Sequence, residues 1–68
     1  METCTVGNYK TTLEATGRGF RVKFFTLNPL VEHAMEIYVI LDEAHEAVTR
    51  YTTTGRIASA RKYHGTIE

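Results

Sequence analysis

The sequence predicts an α+β domain in the order β-β-β-α-β: an antiparallel-rich four-stranded sheet with one helix packed on one face. Three observations carry this prediction. Between Met35 and Tyr51 the apolar period switches from that of a strand to that of a helix. Two alternating runs, 8–16 and 20–27, are separated by Gly17-Arg18-Gly19. The chain has 68 residues, enough for one small core and no second one.

The elements follow in order. Residues 1–7 are polar and are expected to be loose. Over Asn8 to Thr16, Tyr9, Thr11, Leu13 and Ala15 alternate with Lys10, Thr12, Glu14 and Thr16. Gly17-Arg18-Gly19 makes a hairpin turn, because glycine reaches positive φ at little cost. On the returning strand, Phe20, Val22, Phe24 and Thr26 share one face, and Arg21, Lys23, Phe25 and Leu27 share the other. Asn28-Pro29 ends that strand, since proline has no N–H for a ladder, and residues 28–33 are expected as a loop.

Met35, Ile37, Val39 and Leu41 then alternate on one face, with Glu36, Tyr38 and Ile40 on the other. A single helix from Val31 to Tyr51 is the alternative, and the β-branched and aromatic run Ile37-Tyr-Val-Ile40 argues against it. Asp42 is placed to cap a helix whose apolar stripe is Ala44, Ala47, Val48 and Tyr51. Gly55 suits a left-handed C-terminal residue. Residues 56–63 read as the fourth strand, and 64–68 as a tail. The expected core is Leu13, Ala15, Phe20, Val22, Phe24, Met35, Ile37, Val39, Leu41, Ala44, Ala47, Val48, Tyr51 and Ile57. No internal repeat or low-complexity segment divides the chain, so 1–68 is expected to be a single domain.

Composition limits function. A domain this small has no room for an enclosed substrate cavity beside its core, which argues against an enzyme. Cys4 is the sole cysteine, so no internal disulfide forms, and a reducing, cytoplasmic setting is expected. Nothing resembles a signal peptide, and no apolar run is long enough to span a membrane. The formal net charge of zero argues against a protein held on nucleic acid by bulk charge. The charges are segregated all the same: from Phe24 to Thr49 there is no Lys or Arg, while Glu32, Glu36, Asp42, Glu43 and Glu46 are acidic.

Ile40-Leu41-Asp42-Glu43-Ala44-His45-Glu46 resembles the Walker B segment of the DEAH-box helicases, where the Asp holds a magnesium ion and the Glu orients water. Those enzymes also need a glycine-rich phosphate loop, which is absent here. A strand end, a cap and an acidic first helical turn explain the same residues. His33, His45, His64 and Cys4 lack the short spacings of a zinc site, so no metal or other cofactor is expected. Cys4 has no positioned base, and Gly17-x-Gly19 has no following helix, so neither marks a catalytic or dinucleotide site.

One surface remains. The sheet face away from the helix is expected to carry Lys10, Arg21, Lys23, Phe25, Tyr38 and Ile40. Large apolar groups on a face that nothing covers point to binding. A protein partner fits best, with aromatics at the centre and charges at the rim; it could be part of a nucleoprotein complex or a second copy of the chain. The alternative is a single-stranded nucleic-acid-binding or small regulatory domain, with bases stacking on the rings. In its short frame, its strands followed by Glu43-Ala44-x-x-Ala47, and its segment Gly55-Arg-Ile-Ala-Ser-Ala-Arg61, the chain resembles the small single-domain inhibitors of phages and mobile elements, the anti-CRISPR proteins among them. That resemblance implies a non-enzymatic, intracellular protein that blocks a nucleic-acid-processing complex by occupying a surface.

Overall fold

The computed structural model describes residues 1–57. The chain forms β1 (Glu2–Val6), β2 (Tyr9–Thr16), β3 (Gly19–Thr26), β4 (Val31–Tyr38) and α1 (Leu41–Thr54). The strands make one antiparallel sheet in the order β1-β2-β3-β4. The helix lies across one face and touches all four strands. This is the α+β fold expected, a four-stranded antiparallel sheet with one helix. The segment 56–63, expected as a strand, lies outside the described residues apart from Arg56 and Ile57, which are irregular.

The first four-stranded meander member is β1, in the segment expected to be loose. Its Thr3-Cys4-Thr5-Val6 run favours extended backbone, and Gly7-Asn8 closes a two-residue hairpin onto β2, with Gly7 at φ 59°. Five residues are too few to show a clear apolar period, but the glycine-asparagine turn was the signal. The Gly17-Arg18 turn is as expected. Thr16 Oγ1 accepts from the Arg18 N–H at 3.1 Å and donates to the Gly19 carbonyl at 3.2 Å.

The two turn glycines differ. Gly19 has φ 140°, and a Cβ there would collide with the Tyr38 carbonyl across the β3–β4 ladder. Gly17 faces open space without a positive φ. Gly19→Ala is therefore expected to lower stability by about 2 kcal/mol, as forced backbone strain does, while Gly17→Ala changes it little. Urea unfolding of the two variants measures this, and equal midpoints would show that the close approach at Gly19 is unimportant.

β4 departs most from expectation. It starts at Val31, inside the expected loop, and ends at Tyr38, short of Leu41. Its pairs Phe20↔Tyr38, Val22↔Glu36 and Phe24↔Ala34 place Tyr38, Glu36 and Ala34 on the helix face, because directly opposed residues share a face. Met35, Ile37, Val39 and Leu41, expected in the core, are instead 43%, 44%, 78% and 39% exposed. A slip of one residue in strand phase exchanges the two faces completely. The small Ala34 lies beside the row filled by Phe24 and Tyr51, and Tyr38 opposes Phe20 as the last inward ring before the Val39-Ile40 link.

The buried core is Leu13, Val22, Phe24, Tyr38, Ala44 and Tyr51, with Tyr9, Phe20, Ala34, Ala47, Val48 and Ile57 packed against it. Ala15 is exposed, near the far end of β2. Tyr51 joins helix to sheet. Its ring meets Tyr9 and Phe24 edge-on at 5.2 and 5.1 Å, and its hydroxyl donates to the Phe25 carbonyl at 3.0 Å.

The helix N-cap is Ile40, not Asp42, and no side chain caps it. The helix starts two residues earlier than expected, which puts Asp42 and Glu43 inside the first turn. There their charge favours the positive end of the helix dipole without capping it. Gly55 closes the helix at φ 76°, its N–H bonded to the Tyr51 carbonyl at 2.7 Å.

Candidate binding surface

The sheet face opposite the helix is built from alternate residues of each strand. Register arranges them in rows. Glu14, Arg21 and Ile37 form one; Thr3, Thr12, Lys23 and Met35 the next; Thr5, Lys10, Phe25 and Glu32 the third. The last row is reached through a register shift between Phe24 and Phe25 that leaves His33 as the extra residue of β4. Phe25, Met35 and Ile37 thus form an apolar centre on β3 and β4. Lys10, Arg21 and Lys23 lie beside it on β2 and β3.

The charges on this face are unevenly matched. Arg21 Nη2 donates to Glu14 Oε1 at 3.0 Å, an ion pair of partly exposed groups worth a few tenths of a kcal/mol. Arg21 Nε is covered and has no acceptor. The Lys10 ammonium stands 5.6 Å from the centre of the Phe25 ring. Among the described residues Lys23 has no ion-pair partner.

Of the six residues expected on this surface, the structure brings Lys10, Arg21, Lys23 and Phe25 together on it. Tyr38 is a correction: it lies on the helix face, 8% exposed, as part of the core. Ile40 is exposed at the helix N-cap, beyond the end of β4, and so is not part of the paired sheet face. Glu36 moves to the helix face with Tyr38 and is buried. Met35 and Ile37 take the places assigned to Tyr38 and Ile40. Sequence reasoning missed them because their alternation is equally regular in either phase.

A second arrangement was not legible in the sequence. Thr26 Oγ1 and His33 Nε2 are 2.6 Å apart, at the edge of a cleft of about 330 Å³ lined also by Tyr9, Tyr51, Gly55 and Ile57. A hydroxyl against an imidazole has the composition of a nucleophile–base pair. Catalysis also needs a group to orient the imidazole and donors for a developing oxyanion. Among the described residues His33 has only Thr26 as a hydrogen-bond partner, and the pair is exposed. It acts as a polar clasp over the β4 bulge. His45 pairs with Glu2 at 3.3 Å, linking α1 to β1 at the surface. Among the described residues no cluster of three His, Cys, Asp or Glu side chains could hold a metal, and no helix is long and apolar enough to cross a membrane.

Comparisons of the chain with models of protein families, with curated proteins and with solved structures found no match.

Proposed function

We propose that this is a non-enzymatic binding protein that engages a protein partner with the open face of its sheet. The observation that supports it is the apolar centre of Phe25, Met35 and Ile37 on adjacent strands, bordered by Lys10, Arg21 and Lys23. Exposed apolar groups in one patch with a polar border are what a protein interface presents. The target class comes from the likeness to small phage-type inhibitors. It is a nucleic-acid-processing complex of the CRISPR defence kind, blocked in the host cytoplasm by stoichiometric occupation of its surface.

Single-stranded nucleic acid is the weaker reading. Such binders stack successive bases on several rings. With Tyr38 in the core, Phe25 is the one aromatic ring on this face among the described residues, and Lys10 already stands over it.

The test expresses the protein in a bacterium with active CRISPR interference and scores survival of a targeted plasmid. The wild-type chain is expected to restore the plasmid, and Phe25→Asp with Ile37→Asp to lose that effect while keeping the wild-type circular dichroism spectrum. No rescue by the wild type in any CRISPR type would sink the inhibitor reading. Full rescue by the doubly substituted chain would sink the assignment of the surface.

A further inference from the structure

We infer that the partner surface that fits this face is an acidic protein surface with apolar side chains at its centre. This rests on the binding reading above and adds the partner's chemistry. Among the described residues the fold separates charge through its thickness. Glu36 is on the helix face, Asp42, Glu43 and Glu46 are on the helix with Arg50 4.0 Å from Glu46 as its one arginine, and Glu2 pairs with His45 of the helix. Lys10, Arg21 and Lys23 all point to the open face, against Glu14 and Glu32. Glu14 is engaged by Arg21 at 3.0 Å, and Glu32, on the edge strand, has no ion-pair partner among the described residues. The two lysines are left facing outward beside Phe25 and Met35, their cross-strand neighbours.

A complementary surface therefore carries carboxylates over β2 and β3 and apolar groups over β3 and β4. Such pairing fixes register and speeds encounter at low salt. A phosphate backbone fits less well, because it offers no apolar groups to meet Phe25, Met35 and Ile37. A second copy set face to face would bring lysines against lysines unless it were offset.

The test is a titration of the isotope-labelled full chain, followed by NMR. The probes are a hexapeptide alternating glutamate with leucine, its lysine counterpart and a decathymidylate. The glutamate peptide is expected to shift the amides of Lys10, Lys23, Phe25, Met35 and Ile37, more weakly as salt rises. Lys10→Glu with Lys23→Glu is expected to weaken that binding by about tenfold or more, since like charges then meet. Equal or tighter binding of the lysine peptide or the decathymidylate would overturn the acidic-partner inference and leave the face as a binding surface. So would shifts on the same residues caused by raising protein concentration alone, which would identify a second copy as the occupant. No response to any probe would also overturn it. If in addition the Met35 and Ile37 methyl groups of the free chain are shielded from a soluble paramagnet, the face is covered and the binding reading falls with it.

Discussion

Tyr51→Ala is expected to leave the chain largely unfolded at room temperature. The side chain is 2% exposed and stands between Tyr9 and Phe24, so its removal opens a cavity between the helix and the sheet. Truncating a buried ring costs ~3–5 kcal/mol, and a domain of this length has a total stability of about 3–10 kcal/mol. The hydroxyl adds a smaller share. Tyr51→Phe loses the bond to the Phe25 carbonyl and is expected to cost ~1 kcal/mol, a fall of about 4–8 °C in Tm.

The same hydroxyl makes stability depend on alkaline pH. Burial pushes its pKa above the usual 10.0, and the neighbouring Tyr9 adds to the shift. The folded state therefore holds the proton more tightly than the unfolded state. Its contribution is fully present below pH 10 and is lost as pH rises through the higher folded value. Urea midpoints measured across this range should fall for the wild type and fall less for Tyr51→Phe. Identical slopes would show that the hydroxyl is not held in this bond.

The second large effect reverses what strand alternation alone implies. Tyr38→Ala is expected to cost about 3 kcal/mol, because the ring is buried opposite Phe20. Val39→Ala is expected to change stability by less than ~0.5 kcal/mol, since Val39 is 78% exposed and lies beyond the strand. Thermal unfolding of the two variants tests the phase of β4 directly. A stable Tyr38→Ala beside an unfolded Val39→Ala would mean that β4 turns its other face to the helix.

The sequence by itself determined the α+β class, the hairpin at Gly17-Arg18, the phases of β2 and β3, and the helix with its Ala44, Ala47, Val48 and Tyr51 stripe and Gly55 end. Each of these is written in local pattern. In β2 and β3 one phase is plainly more apolar than the other, and a stripe at helical spacing has only one face to bury. Tertiary structure decided the rest. In β4 both phases carry large apolar groups, Met35 and Ile37 on one and Tyr38 on the other, so periodicity cannot choose between them. The choice came from pairing with β3, which sets Ala34 beside Phe24 and Tyr38 beside Phe20, with the close approach of Gly19 to the Tyr38 carbonyl across the same ladder. That choice moved Tyr38 from the candidate surface into the core and brought Met35 and Ile37 out beside Phe25. A strand's phase is a property of the strand it pairs with, and a surface built from two strands cannot be read from either one alone.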